Sequence, residues 1–309
     1  MLNSKSKIRI LIADKINLSG LKFLIKKHFL VKADYNLSNG DILKNYSDYD
    51  ALVIRSARKI NKIFLEKCNF KLIATCSKGV DHIDLDSAEK NNIKIINSEE
   101  GNTVSAAEHT FGLILGILKQ INYSDRLVRT KKFSNIDFKR FELKGKKIGI
   151  IGMGKVGSRV AKYAEAFEMI IYANDIDKNV RNKLYMYKFK NLDFILKNAD
   201  IVTVHIPLDK NNRNFLSKNK LNILNNNTIL INTSRGEIID EKSLIKLLKN
   251  GSLYYAGLDV FKNEPDINEL FYGLKNVILT NHIAGKTEES IQYISNDIFM
   301  QVKKYFLKK

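Results

Sequence analysis

The stretch KKIGIIGMGKVGSRVAKYAEAF, residues 146–167, joins an apolar run to a glycine-rich turn and then to an amphipathic segment. The apolar run predicts a buried strand, and the helical periodicity of the apolar residues after the turn predicts a helix. Gly152, Gly154 and Gly157 have the GxGxxG spacing between these two elements. In this setting the first glycine permits a tight turn, the second lets a pyrophosphate approach the backbone, and the third lets the helix pack on the strand. The stretch therefore predicts a dinucleotide-binding unit.

An acidic residue follows the next apolar run at the position that such a unit requires. Asp175 comes directly after MIIYAN and lies 18 residues beyond Gly157. A carboxylate at this point can accept hydrogen bonds from both ribose hydroxyls and repels a 2′-phosphate. The sequence therefore favours NAD over NADP.

Short apolar runs alternate with longer amphipathic ones along most of the chain, which is typical of repeated βαβ units and a mainly parallel sheet. The first part has predicted strands at Ile8–Ala13, Ala51–Ile54, Lys71–Thr75 and Ile93–Ile96. The second part has them at Lys147–Ile151, Met169–Ala173, Ile201–Val204, Thr228–Ile231, Tyr254–Leu258 and Val277–Thr280. Helices are predicted at Thr103–Asn122, Val156–Phe167, Asp240–Lys249 and Glu288–Phe306. The fold class is therefore α/β.

Composition narrows the class of protein. The chain has 309 residues, 44% hydrophobic and 28% charged, with only 2 Pro. These values exclude disordered and collagen-like chains, and the length predicts about two domains. No apolar run is long enough to span a bilayer, and the polar amino terminus lacks a signal-peptide core. Cys68 and Cys76 fit neither a redox pair nor a zinc site, and no two histidines have zinc-binding spacing, so a cytoplasmic protein without a metal is expected.

The formal net charge of +19 raises the question of an anionic partner. The lysines are spread along the whole chain, and no RNA-binding or helix-turn-helix signature accompanies them. Generic surface charge is therefore favoured over nucleic-acid binding, and no membrane partner is expected. A nucleic-acid role would predict an affinity that collapses with salt, whereas a small anionic substrate is compatible with the same charge.

Polar residues follow the predicted strands, at the edge where open parallel sheets bind ligands. In the second part these are the Gly152 turn, Asp175, His205, Thr233–Arg235, Asp259 and His282. In the first part they are Asp14, Arg55 and Ser77–Asp81. This distribution predicts a binding cleft between two α/β layers.

Three of the polar side chains have the chemistry of a dehydrogenase. Arg235 can bind a carboxylate through two parallel hydrogen bonds, and His282 can exchange a proton with a substrate oxygen. Glu264 can hold the imidazole and stabilise its charged form. By residue type alone, however, they also fit a surface arginine, a turn glutamate and a structural histidine. His28, His82 and His109 have no evident partners in the sequence and are interpreted as structural or surface residues.

Eight ordered motifs carry a family resemblance over nearly the whole chain. They are IRSARKI from Ile54, KGVDHIDL from Lys78, NSEEGNTVSAAEH from Asn97, GIIGMGKVG from Gly149, HIP from His205, INTSRGEIID from Ile231, GLDVFKNEP from Gly257 and NHIAGKT from Asn281. With these motifs the chain resembles the D-isomer-specific 2-hydroxyacid dehydrogenases, and most closely their D-3-phosphoglycerate dehydrogenase branch.

The resemblance implies two Rossmann-like domains, each a parallel sheet with helices on both faces. Residues 1–97 together with 284–309 would form the substrate domain, and residues 98–283 the inserted NAD-binding domain. A homodimer through the helix after Asn102 is also implied. The chain ends soon after the last matching helix, so the regulatory domain of longer relatives is expected to be absent.

Carried over residue by residue, the resemblance implies a catalytic Arg235 and a Glu264 that supports the acid/base His282. Cofactor binding is implied for Gly152, Gly154, Lys155, Val156, Gly157, Asp175, His205, Ile206, Pro207, Thr233, Ser234, Arg235, Asp259, His282, Ala284 and Gly285. Substrate binding is implied for Arg55, Ser56, Lys78, Gly79, Asn102, Arg235 and His282. Within these sets, Asp259 would lie near the carboxamide end of the cofactor and His205 would shape the cofactor rim.

The implied reaction is the NAD-dependent interconversion of a D-2-hydroxy acid and its 2-oxo acid. The first substrate expected is 3-phosphoglycerate, oxidised to 3-phosphohydroxypyruvate at the entry to serine biosynthesis. Lys78 and Thr75 depart from the phosphoglycerate branch, so we keep Lys78 and Arg58 as a hypothetical phosphate site. A glyoxylate, hydroxypyruvate or D-lactate reductase is the alternative of the same class, and an NAD-sensing transcriptional corepressor is the alternative of another class.

Overall fold

The computed structural model describes residues 7–134 and 138–307. It divides into two compact units, Met1–Asn102 with Lys286–Lys309, and Thr103–Gly285. The unit boundaries after Asn102 and Gly285 lie close to the domain boundaries that the sequence predicts after residues 97 and 283.

Strands and helices alternate through both units. The strands of the described chain are Ile8–Ile12 (β1), Phe29–Ala33 (β2), Ala51–Ile54 (β3), Leu72–Thr75 (β4), Lys94–Asn97 (β5), Lys147–Ile151 (β6), Ile170–Asn174 (β7), Lys188–Phe189 (β8), Ile201–Val204 (β9), Ile229–Asn232 (β10), Tyr255–Leu258 (β11) and Val277–Leu279 (β12). Its α-helices are Asn39–Asn45 (α1), Lys62–Lys67 (α2), Leu85–Lys90 (α3), Thr103–Lys119 (α4), Ile121–Arg129 (α5), Lys155–Ala166 (α6), Lys178–Lys183 (α7), Leu192–Asn198 (α8), Lys218–Leu221 (α9), Glu241–Lys249 (α10) and Glu288–Phe306 (α11). Short 3₁₀ helices lie at Ser19–Phe23, Gly236–Ile238 and Glu269–Phe271.

The first unit contains a five-stranded parallel sheet in the order β2-β1-β3-β4-β5. Successive side chains of a strand point to opposite faces, so Leu11 packs in the core on the side of α1, α2 and α3, while Ile10 packs on the side of α11. Helix α11 contributes Ile298 and Phe299, both fully buried. Helix α11, near the carboxyl end of the chain, therefore covers one face of the sheet that contains β1, near the amino end.

The second unit contains a seven-stranded parallel sheet in the order β12-β11-β10-β9-β6-β7-β8. One face packs against α4 and α6 through residues such as Ile114 and Val160, and the other packs against α8 and α10 through residues such as Ile195 and Leu244. The order of the strands reverses between β6 and β9. Ligands of open parallel sheets bind at this switch point, outside the carboxyl ends of the strands.

The predicted α/β class with parallel sheets and helices on both faces is confirmed, but several elements differ from the predicted ones. The sequence reasoning missed the edge strands β2 and β8. It also predicted one helix over Thr103–Asn122, whereas Gln120 adopts a left-handed φ of 54° and separates α4 from α5. In the described part of the chain, no helix is both long and apolar enough to cross a membrane.

The packing of α11 predicts how the first unit responds to truncation of one side chain. Phe299→Ala should lower the free energy of unfolding by about 3–5 kcal/mol, because the ring is fully buried and its removal leaves a cavity. Met300→Ala is the matched control, since Met300 is 47% exposed and should change stability by less than about 0.5 kcal/mol. Urea denaturation followed by circular dichroism measures both, and equal stability of the two variants would contradict the packing of α11.

Candidate active site

The glycine turn joins β6 to α6 at the carboxyl edge of the second sheet. Gly152 has a φ of +90°, a conformation that side chains disfavour. A Cβ on Gly157 would lie 1.9 Å from the carbonyl oxygen of Gly152, so the helix can pack against the turn only without that atom. A Cβ on Gly154, by contrast, would meet no other part of the described chain within 4 Å. The turn is thus closed on its strand side and open at the N-terminus of α6, where the helix dipole favours an anion.

Asp175 lies beside this turn, as the sequence predicts for a ribose-binding carboxylate. Its Oδ2 accepts a hydrogen bond of 2.7 Å from the amide of Met153, inside the GxGxxG segment. Its Oδ1 accepts one of 2.9 Å from the amide of Asp177. The same carboxylate therefore ties the end of β7 to the glycine turn after β6.

The segment after β9 forms the other side of the switch point. A Cβ on Gly152 would lie 2.9 Å from the backbone of His205 and 2.8 Å from the Ile206 side chain. The Nε2 atom of His205 lies 2.9 Å from the Oγ1 atom of buried Thr203. His205 and Ile206 are thus next to the glycine turn, and the exposed Pro207 follows them. The part of His205 in shaping the cofactor rim stays a prediction.

The loop after β10 carries Thr233, Ser234 and Arg235. Buried Asn232 organises it, because its Oδ1 accepts hydrogen bonds from the amide and the hydroxyl of Ser234, at 3.0 and 2.7 Å. Its Nδ2 donates to the carbonyl of Arg235 at 2.9 Å. A Cβ on Gly236 would lie 2.0 Å from the Phe261 carbonyl carbon, so this loop packs against the segment after β11. The backbone of Arg235 is therefore fixed on both sides.

His282 and Glu264 form a direct pair, although 18 residues separate them in sequence. The Nδ1 atom of His282 lies 2.6 Å from Oε2 of Glu264. The second carboxylate oxygen, Oε1, accepts a hydrogen bond of 2.9 Å from the amide of Phe261. An acceptor on Nδ1 fixes the tautomer of a neutral imidazole so that Nε2 carries the lone pair available for proton exchange.

The environment of Glu264 keeps its carboxylate ionised. Partial burial alone would raise the pKa of this group. Hydrogen bonds from His282 and the Phe261 amide, together with the positive charges of His282 and Arg235, outweigh burial and lower the pKa below its usual value. Arg235 and the His282–Glu264 pair are thus electrostatically linked within the second unit.

The turn after β12 is built around Asp259. This side chain is fully buried, and its carboxylate accepts hydrogen bonds from the amides of Ile283 and Ala284, each at 2.9 Å. It also accepts one of 2.6 Å from the hydroxyl of Thr280. The carboxylate thus already has several donors from the protein. The role near the cofactor carboxamide that the resemblance implies for Asp259 stays a prediction.

Sequence reasoning missed several residues that support these turns. Asn232 belongs to the INTSRGEIID motif, which assigns it no part, and Thr280 is predicted only as the end of a strand. His109 was interpreted as a structural or surface residue, yet its Nε2 lies 3.0 Å from the Oγ1 atom of Thr280. The signal available in the sequence is that Ser105 and His109 lie four positions apart in a helix that is largely apolar.

Apart from Arg235 and His282, the predicted substrate residues belong to the first unit, in segments that follow its strands. Arg55 and Ser56 follow β3 and are exposed, and the Arg55 amide donates to Oδ2 of Asp14 at 2.8 Å. Lys78 and Gly79 follow β4; the Lys78 carbonyl accepts from Asn97 at 2.6 Å, and the Gly79 carbonyl accepts from Ser77 at 2.8 Å. Asn102 is the last residue of this unit before α4. That these residues face the same cleft as Arg235 and His282 stays a prediction.

Two details of the first unit bear on the remaining hypotheses. Arg58 is largely buried, with Nε and Nη2 donating to Oδ1 of Asp14 at 3.0 and 2.6 Å and Nη1 donating to Oδ1 of Asn39 at 3.0 Å. It is therefore poorly suited to receive a substrate phosphate, and the hypothesis now depends on Lys78.

His82 contacts Thr75 through a 3.0 Å hydrogen bond. Among the described residues, no group of three or more His, Cys, Asp or Glu is arranged to hold a metal ion.

Comparison with known proteins gives the family. Residues 111–284 match the model of the "D-isomer specific 2-hydroxyacid dehydrogenase, NAD binding domain", which is more than half of the chain and lies within the second unit. The chain belongs to the D-isomer specific 2-hydroxyacid dehydrogenase family. The family predicted from the sequence motifs is thereby confirmed, and so is a nicotinamide dinucleotide as the cofactor of the second unit.

Several members of the family have similar sequences or folds. The chain is 33% identical to a D-3-phosphoglycerate dehydrogenase of Bacillus subtilis over 96% of its own length, but spans only 57% of that relative. It is 34% identical to a glyoxylate reductase of Thermococcus litoralis, covering 92% of this chain and 89% of the relative. The solved D-lactate dehydrogenase of Aquifex aeolicus, complexed with NAD and lactic acid, has a TM-score of 0.83 and 26% identity to this chain. The match covers 96% of this chain and 95% of the other.

The geometry of the glycine turn between β6 and α6 fits a dinucleotide. Its three glycines differ in what a side chain would meet, and only Gly154 has open space beside it. That space adjoins the first residues of α6, Lys155 and Val156, where a pyrophosphate would be bound by backbone amides. Asp175 lies beside the same turn and would bind the ribose hydroxyls.

Two glycine substitutions separate the packing of this turn from its binding function. Gly157→Ala should destabilise the protein by about 1–3 kcal/mol, because the added methyl would overlap the Gly152 carbonyl. Gly154→Ala should leave stability within about 0.5 kcal/mol of the wild type but weaken NADH binding roughly tenfold, because the methyl would occupy the open space over α6. Thermal unfolding by circular dichroism and titration of NADH fluorescence measure the two effects. Unchanged NADH affinity in Gly154→Ala would show that the dinucleotide does not bind there.

Proposed function

We propose that this protein interconverts a D-2-hydroxy acid and the corresponding 2-oxo acid, with NAD as the hydride carrier. The observation that carries the proposal is the 2.6 Å pair between His282 and Glu264, in the same unit as the dinucleotide-binding turn. A proton carrier held by an ionised carboxylate is what a hydride-transfer reaction at a carbonyl requires. Membership of the family supports the same class of reaction.

The proton transfer follows from the orientation of the imidazole. The nicotinamide, when bound, supplies or accepts the hydride at C2 of the substrate. In the reducing direction, imidazolium Nε2–H of His282 protonates the carbonyl oxygen, because Nδ1 is occupied by Glu264. In the oxidising direction, the neutral Nε2 removes the proton from the hydroxyl. Glu264 stabilises the charged ring in each cycle and limits its rotation.

Arg235 is the proposed cation for the substrate. Its guanidinium can bind the carboxylate of a 2-hydroxy acid through two hydrogen bonds and polarise the neighbouring carbonyl. The position of its backbone, fixed by Asn232, supports this role. Its charge also contributes to the lowered pKa of Glu264, so the proposed substrate cation and the proposed acid/base pair influence one another.

Preference for NAD over NADP is proposed from Asp175. Its carboxylate is held beside the turn by the amides of Met153 and Asp177. A 2′-phosphate on the adenine ribose would be placed next to this negative charge, whereas the two hydroxyls of NAD would donate to it. Repulsion between like charges therefore selects against the phosphorylated cofactor.

We propose 3-phosphoglycerate as the substrate, oxidised to 3-phosphohydroxypyruvate for serine synthesis. Similarity to the Bacillus subtilis D-3-phosphoglycerate dehydrogenase supports this choice. Arg55 and Lys78, which follow neighbouring strands of the first sheet, supply positive charge for a phosphate. Arg58 is excluded from this set because Asp14 and Asn39 occupy its guanidinium.

A glyoxylate, hydroxypyruvate or D-lactate reductase is the second candidate. It is supported by the 34% identity to the Thermococcus litoralis glyoxylate reductase and by the fold of the Aquifex aeolicus D-lactate dehydrogenase. Arg235, Glu264 and His282 would have the same parts in it. The two candidates differ only in the use of Lys78 and Arg55, since a small substrate has no phosphate for these residues to bind.

We further propose that the protein is a cytoplasmic homodimer formed through the helix after Asn102. Large apolar side chains that are about half exposed on α4 and α5 support this interface: Val104, Ile121 and Val128. The two free cysteines, Cys68 and Cys76, are compatible with a reducing compartment. Sedimentation equilibrium measures the mass in solution, and a monomer at micromolar concentration would exclude this assembly.

A substrate panel tests the reaction, the cofactor and the residue roles together. With NAD at alkaline pH, kcat/KM should be at least tenfold higher for 3-phosphoglycerate than for glycerate or D-lactate, because only the first offers a phosphate to Lys78 and Arg55. NADP should be used at least tenfold less efficiently because of Asp175. His282→Ala should lower kcat about 10²–10⁴-fold by removing the proton carrier. Absorbance of NADH at 340 nm follows every reaction.

Substitutions of the proposed substrate and catalytic residues are the controls for this panel. Lys78→Ala should raise KM for phosphoglycerate and leave glycerate kinetics unchanged, and Arg235→Ala should impair every 2-hydroxy acid by roughly 10²-fold or more. Wild-type activity in both Arg235→Ala and His282→Ala would reject the assigned roles. Tight NADH binding without turnover of any substrate would instead support the NAD-sensing corepressor.

A further inference from the structure

The backbone of His282 has a conformation that most residues avoid. Its φ is +55°, in the left-handed region. For a residue other than glycine, this conformation is unfavourable and persists only where the surroundings enforce it. The orientation of the imidazole therefore depends on what holds the turn from Thr280 to Ala284.

Asp259 holds this turn from the side of the sheet. Its backbone carbonyl accepts from the amide of His282 at 2.9 Å, and its carboxylate accepts from the amides of the next two residues. Full burial disfavours the charged carboxylate, but hydrogen bonds from His109, Thr280 and the two amides outweigh it and lower the pKa of Asp259 below its usual value. The carboxylate is thus an ionised acceptor at neutral pH.

His109 reaches the same carboxylate from α4. Its Nε2 lies 3.0 Å from the hydroxyl oxygen of Thr280 and 3.5 Å from Oδ1 of Asp259. The Thr280 hydroxyl gives its proton to Asp259, at 2.6 Å, so its oxygen can only accept from His109. Nε2 of His109 therefore carries a proton, and the chain of hydrogen bonds runs from His109 through Thr280 to Asp259.

A second contact of α4 points to the same turn independently. The hydroxyl of Ser105, buried in α4, donates to the carbonyl of Ala284 at 2.6 Å. Ser105 and His109 are four residues apart and thus on one face of the helix. Helix α4 therefore contacts the turn on both sides of His282, at Thr280 and at Ala284, and neither of these two hydrogen bonds involves His282 itself.

We propose that His109 is a positioning residue for His282: through Thr280 and Asp259 it fixes the left-handed turn that aims the imidazole. This inference rests on the proposed function, in which His282 is the acid/base. It gives His109 a part that neither the motifs nor the family resemblance assigned. Loss of the Nε2–H donor removes the link by which α4 holds Thr280 and Asp259 in place, so the turn would sample orientations in which His282 is misaligned with the substrate oxygen.

The test compares two substitutions at one position. His109→Leu removes the donor, whereas His109→Gln retains an N–H donor of similar reach. His109→Leu should lower kcat roughly ten- to hundredfold with KM and NADH affinity changed less than about threefold, because substrate and cofactor contacts remain. His109→Gln should recover most of kcat. Thr228→Val is the control for a lost buried hydrogen bond, since the Thr228 hydroxyl donates to Ala199 at the opposite end of β10 and its loss should leave kcat unchanged.

A double-substitution cycle distinguishes positioning from general destabilisation. If His109 acts only through His282, then adding His109→Leu to His282→Ala should leave the residual rate of His282→Ala unchanged. A further tenfold fall in that background would overturn the proposal, and so would a wild-type kcat in His109→Leu. If His109→Leu does not fold, Thr280→Val with Thr280→Ser as the rescue tests the same link by the same criteria. Failure of the proposed function would look different, because His282→Ala alone would then retain wild-type activity.

Discussion

The buried carboxylate of Asp259 is the constraint on which the edge of the second sheet that carries Arg235 and His282 depends. An ionised carboxylate removed from water costs several kcal/mol unless donors replace the lost solvent. Here the donors are the hydroxyl of Thr280 and the amides of Ile283 and Ala284, with His109 nearby. Thr280, Ile283 and Ala284 belong to the turn that carries His282. The hydrogen bonds that stabilise the buried charge therefore also fix the conformation of this turn. The left-handed backbone of His282 is stable because leaving it would break bonds to a buried anion.

The parallel sheet brings the other parts of the site to this edge. Strands β10, β11 and β12 lie side by side and run in the same direction, so the residues after each strand emerge together. Arg235 follows β10, Asp259 follows β11 and His282 follows β12. Glu264 is added from the long segment after β11, where the Phe261 amide fixes its second oxygen. Residues scattered over some fifty positions of sequence thus become neighbours because of topology alone.

Sequence alone predicted the parts of the fold that buried apolar runs encode. The central strands are four- to five-residue runs of mostly apolar side chains, and the glycine spacing fixed the start of α6. Edge strands are harder, because only one residue of β2, Phe29, is buried and β8 has two residues. The interruption at Gln120 is also invisible to periodicity, since the apolar pattern continues across it.

For the site, residue type and position after a strand identified the groups able to do chemistry, but not the groups that hold them. Arg235, Glu264 and His282 could be selected because their side chains have an evident use in hydride transfer. Asn232 and His109 could not, since their importance lies in which neighbour they contact. Hydrogen bonds between residues as distant as His109 and Thr280 leave no periodic signal in one sequence.

Helix α4 shows why such supporting residues are tightly constrained. Most of this helix is buried among apolar side chains, where a hydroxyl without a partner costs about 1–3 kcal/mol. Ser105 finds its partner in the turn after β12, and Thr110 lies 3.0 Å from Thr233 in the loop after β10. Because the Thr110 hydroxyl already donates to the carbonyl of Ala106, it accepts from Thr233. The Ser105 hydroxyl is therefore satisfied only when the turn after β12 has its present conformation, and the Thr233 hydroxyl has Thr110 as its acceptor only when the loop after β10 does. These are the turn and the loop that carry His282 and Arg235, so the packing of α4 and the conformation of both segments stabilise each other.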